Sequence, residues 1–291
     1  MQSLLPYVIN GISAGGQYAL IAIGYTLVYG ILRLINFAHG DVFMVAGLLG
    51  IYISAVLPIY AAIPVVIILT VALGFFIERA AYKPLRNAPR MSVMISAIGV
   101  SYLLENTATY VTGGQPMTYP TIGILNKTID IVGTSTKLVV IITPVLVLVL
   151  IVLLPQLINH TKIGMAMRAV SKDFETARLM GIKINNVISM TFVIGSALAV
   201  VGSILYFTTY PAITPTAGAM PGLKAFVAAV FSIPGAVIGA FLIGICETII
   251  KGLPSAWNVS VFSDAFTFAL LIIILTCKPT GLFGEKATDK V

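Results

Sequence analysis

Residues 138–159 read LVVIITPVLVLVLIVLLPQLIN, twenty-two consecutive positions without a charge. An α-helix rises 1.5 Å per residue, and the hydrocarbon core of a bilayer takes ~20 apolar residues to cross. This stretch therefore predicts a membrane-spanning helix. Working outward from it, further apolar segments fall near 5–32, 37–57, 59–78, 91–112, 187–209 and 260–277. One more region, 222–251, is long but interrupted by Pro234-Gly235. Pro lacks an N–H and Gly tolerates unusual dihedrals, so this pair is the expected turning point of a doubled or re-entrant segment. The fold class that follows is all-α: a polytopic membrane protein with about seven to eight transmembrane helices, some broken or re-entrant, forming a single domain over 1–291.

Composition agrees. Only 27 residues are charged, 17 basic and 10 acidic, where an average soluble domain of this length carries roughly 70. Mean hydropathy is +1.04. These values exclude a disordered chain, a soluble nucleic-acid binder and an ordinary soluble enzyme. The basic balance is read against the membrane surface, with no nucleic-acid partner. Cys246 and Cys277 stand alone, with the spacing of neither a disulfide framework nor a zinc site. Met1-Gln2-Ser3 lacks the basic start of a signal peptide.

The cations set the expected orientation. Arg33 stands beside three clusters: Arg79, Lys83, Arg86 and Arg90; Lys162, Arg168, Lys172, Arg178 and Lys183; and Lys278, Lys286 and Lys290. Placing them in the cytoplasm puts 13 of the 17 basic residues inside and leaves Lys127, Lys137, Lys224 and Lys251 outside. The N-terminus is then outside and the C-terminus inside. The polar stretch 113–137 becomes an extracytoplasmic loop, with a short strand expected at Thr128–Val132. Region 222–251 must begin and end outside. Gly11 and Gly15 form GxxxG, and Gly195, Ala199 and Ser203 recur every fourth residue, as do Gly235 and Gly239. Such faces let helices approach closely in lipid.

The chemistry concentrates in the cytoplasmic loop 160–186. Lys172, Asp173 and Glu175 are expected to begin a short helix, with the acids near its positive end. Phe174, Ala177 and Met180 give an apolar ridge. Gly181 is placed to end the helix in a left-handed conformation, and Asn185 or Asn186 to cap the next span. A second polar group, Asn36–Asp41, opens an apolar segment. It reads either as an interfacial start capped by Asn36, with Asp41 near the dipole, or as a half-helix whose N-terminus faces a transport pathway. Glu105 and Glu247 lie in or beside apolar stretches, where an acid is costly and faces the bundle interior.

Glu175-Thr176-Ala177-Arg178-Leu179-Met180-Gly181 resembles the Glu-x-Ala-x-x-x-Gly coupling-helix motif of ABC importer permeases. Its surroundings add to the likeness: Asn36-Phe37-Ala38-His39-Gly40-Asp41, the run Gly164–Ala169, Thr191-Phe192-Val193-Ile194-Gly195, Lys224-Ala225-Phe226 and Ser232-Ile233-Pro234-Gly235-Ala236. In order and content, from about residue 8 to 285, the chain resembles the branched-chain amino acid permeases of the LivH type. It departs at one place. The family pattern has a Gly-rich stretch between Ala228-Ala229-Val230 and Ser232, where here only Phe231 stands.

The resemblance implies a translocation subunit in a bacterial cytoplasmic membrane, bearing no cofactor of its own. Its implied partners are a second, homologous permease subunit, two cytoplasmic ATPase subunits that hold ATP-Mg, an extracytoplasmic substrate-binding protein, and membrane lipid. Asp173, Glu175, Ala177, Arg178 and Gly181 would form the ATPase-coupling site. Asn36, His39, Asp41, Lys224, Pro234 and Gly235 would line the pathway or gate. The implied cargo is a branched-chain or related small apolar amino acid, with urea or short amides as the alternative. The sequence contains no Gly-x4-Gly-Lys-[Ser/Thr], so no P-loop ATPase site is expected in it.

Two other classes compete. Gly11-Ile12-Ser13-Ala14-Gly15 fits Gly-x-Ser-x-Gly, but an intramembrane serine hydrolase needs a strand-to-helix elbow and a nearby His. Here the pattern lies in an apolar helix near the outer face, while His39 and His160 map to the inner face. There is no HExxH and no catalytic metal set is expected. A passive channel would explain the spans and leave the loop 160–186 without a purpose.

Overall fold

The computed structural model describes residues 5–32, 36–86, 88–131, 134–229, 233–253 and 260–277. Arg33, the 230–232 junction and the cations Lys278, Lys286 and Lys290 lie outside these residues. The helices are α1 (Leu5–Leu32), α2 (His39–Ser54), α3 (Ile59–Ile77), α4 (Arg90–Thr112), α5 (Leu138–His160), α6 (Lys162–Lys172), α7 (Phe174–Leu179), α8 (Ile184–Thr209), α9 (Ala219–Ala229), α10 (Ile233–Lys251) and α11 (Ser263–Cys277). Among the described residues, five helices are long and apolar enough to cross a membrane: α1, α3 with its extension to Tyr82, α5, α8 and α10. The polytopic all-α expectation is met.

The helices follow from the apolar composition, and the pairings from small residues. Gly11 and Gly15 in α1 face Ile245 and Phe241 in α10, so the two helices run antiparallel at close range. In the same way α1 runs antiparallel to α8, with Leu20 beside Gly202 and Gly24 beside Gly195. Short α9 lies parallel to α1, with Lys224 over the Tyr18 ring and Phe226 against Tyr25. Short α2 lies parallel to α8, with His39 near Gly195 and Phe43 against Phe207. Gly74 meets Ser196 and Glu78 meets Ser189, so α3 is antiparallel to α8. Exchanging α1, α2 and α3 with α8, α9 and α10 reproduces this set of contacts. The two halves form an inverted repeat, an architecture that recurs in transporters. Nothing in the residue pattern announced it.

The segment expected at 37–57 is shorter than a span. Helix α2 has 16 residues, about 24 Å. Its first residue, His39, packs against Gly24, eight residues before the end of α1. Helix α2 thus begins about 12 Å inside the bundle. Helix α9, with 11 residues, is its counterpart. The expected break at Pro234-Gly235 is corrected. Helix α10 runs through both from Ile233, because Pro in a first turn gives up an N–H that has no intrahelical partner there. Helix α9 ends at Ala229, and α10 starts at Ile233.

The strand expected near 128 is present. Thr128–Ile131 (β2) pairs antiparallel with Thr134–Lys137 (β3), Ile129 opposite Thr136. Met117–Thr118 (β1) pairs with Ala212–Ile213 (β4), tying the 113–137 stretch to the segment that leads into α9.

Candidate functional site

Two places concentrate polar groups in an otherwise apolar chain. The first is the junction where α2 and α9 begin. Gly40 and Gly222 press together, and Gly40 also abuts the Gly218 carbonyl. Around them a cavity of about 210 Å³ is lined by Tyr25, Phe37, Gly40, Asp41, Ser101, Glu105, Gly218, Ala219, Gly222, Leu223 and Phe226. The Ser101 hydroxyl donates to Asp41 at 2.5 Å. Phe37 and Phe226 supply apolar wall, their ring centres 6.4 Å apart. The cavity therefore offers two carboxyl groups and a hydroxyl on one side and aromatic and aliphatic surface on the other.

Of the six residues expected in the pathway, only Asp41 lines this cavity. Asn36 does not cap α2: the N-cap is Ala38, which makes no side-chain cap bond. The Asn36 side chain instead accepts from the Tyr82 hydroxyl at 2.7 Å, which removes it from capping. His39 is buried between α1 and α8, its ring 4.7 Å from that of Tyr25. Lys224 turns into the seam between α1, α10 and α11, with its Nζ 2.9 Å from Glu247 and 2.7 Å from Asp264. Glu247 also takes bonds from Lys251 at 2.5 Å and the Tyr18 hydroxyl at 2.9 Å. Lys224 and Glu247 are 3% and 4% exposed, so this is a buried charge network within the bundle. Pro234 is exposed and Gly235 buried, both outside the cavity. Ser101, Tyr25 and Phe226 were not expected at the junction. No local pattern marks them, because they arrive from three separate helices.

The second place is the end that carries α6 and α7. Thr161 caps α6 by accepting from the Gly164 N–H at 3.0 Å. Asp173 caps α7, accepting from the Glu175 N–H at 2.9 Å and from the Thr176 hydroxyl. These two donors hold the Asp173 carboxyl below the usual carboxylate range, the hydroxyl contributing most. Lys172 ends α6 rather than beginning α7, because Asp173 is extended between them. Gly181 has φ of +81°. Its N–H bonds the Arg178 carbonyl, and the Ile182 N–H bonds the Ala177 carbonyl, which closes the helix as a Schellman turn.

The expected ridge of α7 is corrected in part. Ala177 is buried, but Phe174 is 38% exposed and Met180 78%, because six residues give one buried position per turn. Leu179, 86% exposed, joins Met180 as an uncovered apolar tip. Glu175 and Arg178 border a second cavity, of about 610 Å³. The expected cap of α8 is also corrected. Lys183 holds that position without a side-chain bond, and Asn185 accepts from Arg86 instead.

One acid was missed entirely. A π-helical turn, Glu78–Tyr82, extends α3, closed by the Lys83 N–H on the Glu78 carbonyl at 2.9 Å. It directs the fully buried Glu78 at Arg86 and at the Ser189 hydroxyl, 2.6 Å away. Its signal was an acid at the end of an apolar run with a cation eight residues on. Among the described residues, no cluster of side chains has the makings of a metal site.

Comparison with known proteins agrees with this architecture. The family described as "Branched-chain amino acid transport system / permease component" matches residues 7–275. The "High-affinity branched-chain amino acid transport system permease protein LivH" of Salmonella typhimurium is 39% identical over 307 residues, covering 99% of this chain and 97% of the relative. The corresponding BraD protein of Pseudomonas aeruginosa is 38% identical over 311 residues, covering 99% and 98%. A "Probable branched-chain amino acid transport permease protein LivH" of Methanocaldococcus jannaschii is 27% identical over 284 residues, covering 91% and 88%. No solved structure matches. A full-length match of this quality, on a bundle of membrane-length helices, establishes that the chain belongs to the branched-chain amino acid transport system permease family.

Proposed function

We propose that this chain is the permease subunit of an ATP-driven importer of branched-chain or related small apolar amino acids. The observation that carries the reading is α7. It is anchored by buried Ala177, capped at both ends, and leaves Leu179 and Met180 uncovered. A short rigid helix with an apolar tip fits a groove on a partner. Partner ATPases hold ATP-Mg, and their closure pushes α7. Helix α6 passes the motion to α5 and α8, and the two inverted halves rock about the Gly40–Gly222 junction.

The cavity at that junction suits a small amphipathic cargo. Asp41, Ser101 and Glu105 face an ammonium group, and Phe37, Leu223 and Phe226 face a branched side chain. A second permease subunit completes the membrane pathway, and a binding protein delivers cargo from outside. The basic asymmetry supports a multi-pass protein of the bacterial inner membrane, with its N-terminus outside and its C-terminus inside.

The test is uptake of labelled leucine, isoleucine and valine by vesicles holding this chain, its partner permease, both ATPases and the binding protein. ATP-dependent accumulation supports the reading. Accumulation of urea or a short amide with no amino acid uptake would replace the cargo, and transport without ATP would replace the mechanism.

A further inference from the structure

The larger cavity, about 610 Å³, lies where the last residue of α1 and the first turns of α4 and α8 meet Lys83, Arg86, Ala88 and α7. Its lining carries four cations, Lys83, Arg86, Arg90 and Arg178, against one carboxylate, Glu175. Arg86 is committed to Glu78 and Asn185, although its Nε is buried without a partner. Among the described residues, Lys83, Arg90 and Arg178 have no ion-pair partner. Three uncommitted cations around one cavity repel one another and favour an anion between them.

Leu32, Val93, Ile184 and Ile188 give the same lining an apolar wall. A free phosphate would leave that wall against water. A phosphate carried on a glycerol and acyl chain would cover it. Basic pockets between helices on the cytoplasmic side of a membrane take anionic headgroups in this way. We infer that this cavity binds the phosphate of an anionic lipid headgroup, held by Lys83, Arg90 and Arg178 with the acyl end on the apolar wall. Lys83 follows the π turn that extends α3 and Arg90 opens α4, whereas Arg178 comes from α7. One bound phosphate therefore ties α7 to the membrane bundle. This regulatory consequence rests on the coupling role proposed for α7, but binding itself does not.

The test uses the purified full chain in bilayer discs of phosphatidylcholine with roughly a third phosphatidylglycerol, a proportion at which anionic lipid is not limiting. Native mass spectrometry counts each lipid retained after extraction. Wild type is expected to retain phosphatidylglycerol over phosphatidylcholine. The Lys83→Gln/Arg90→Gln pair should weaken that preference at least ~5-fold, while Lys83→Arg/Arg90→Lys and the outlying Arg79→Gln keep it. Equal retention of both lipids by wild type, or an unchanged preference in the Gln pair, overturns the proposal. Displacement of the lipid by millimolar inorganic phosphate would keep the phosphate site but assign its source to solution. In vesicles with the ATPase subunits, phosphatidylglycerol should raise ATP hydrolysis in wild type and not in the Gln pair. Selective retention in a complex that fails to transport would sink the transport reading and leave the lipid site standing.

Discussion

A Cβ placed on Gly40 would fall 3.1 Å from the Cα of Gly222, and one placed on Gly222 would fall 3.0 Å from the Cα of Gly40. Gly40 is the second residue of α2 and Gly222 the fourth of α9, so the starts of the two short helices of the inverted repeat meet here. Backbone meets backbone there, so no side chain can give way.

Gly40→Val and Gly222→Val should therefore separate the two helix starts. Overpacking of this kind costs ~1–3 kcal/mol. Both variants should melt earlier in detergent and transport poorly, whereas Gly99→Val, at a glycine with nothing within 4 Å, should do neither. Wild-type melting and uptake in the two junction variants would show that the helix starts move apart freely.

The end of α7 gives a cleaner substitution. Gly181 has open space around it, so only its φ resists a side chain. Gly181→Val should cost ~1–3 kcal/mol of local strain and reduce ATP-coupled uptake without reducing membrane insertion. Gly181→Asn, which tolerates left-handed backbone, should keep most of it. Equal activity in all three proteins would mean that the α7 terminus does not matter for coupling.

This part of the site was legible in the sequence because capping is local. Asp173 and Gly181 announce a helix start and stop within nine residues. The junction was less legible. Asn36 carries the right chemistry for a cap, but its side chain is taken by Tyr82, a partner 46 positions away. Lys224 adjoins the cavity-lining Leu223, yet its side chain turns to Glu247 and Asp264. Apolar runs give the existence of helices. They do not give the depth at which a helix begins, so α2 read as a full span until its contact with Gly24 placed its start inside the bundle.

The Lys224–Glu247 pair should behave as a buried ion pair does. Glu247→Gln leaves Lys224 with Asp264 alone, so the loss should fall below the ~3–5 kcal/mol of a wholly unpaired buried charge. The double change Lys224→Met/Glu247→Gln should recover much of it. Thermal unfolding of wild type and the two variants decides the point. A single variant as stable as wild type would mean that Asp264 alone satisfies Lys224.

Asp173 fixes a pH dependence. Its carboxyl is held below the usual range in the folded state, so its capping contribution is complete above the ordinary carboxylate pKa. The contribution is lost only as pH falls through the lowered value. Between about pH 6 and 8 the ratio of uptake in wild type to that in Asp173→Ala should be flat, with the variant lower throughout. A ratio that changes across that interval would assign the dependence to another group.

The most direct measurement is paired ATP hydrolysis and labelled leucine uptake in vesicles holding this chain with the proposed partner permease, ATPases and binding protein. Leucine accumulation should require ATP, and Gly181→Val should lower accumulation and substrate-stimulated hydrolysis together. Accumulation that proceeds without ATP, or coupling that is unchanged in Gly181→Val, would contradict a permease driven through α7.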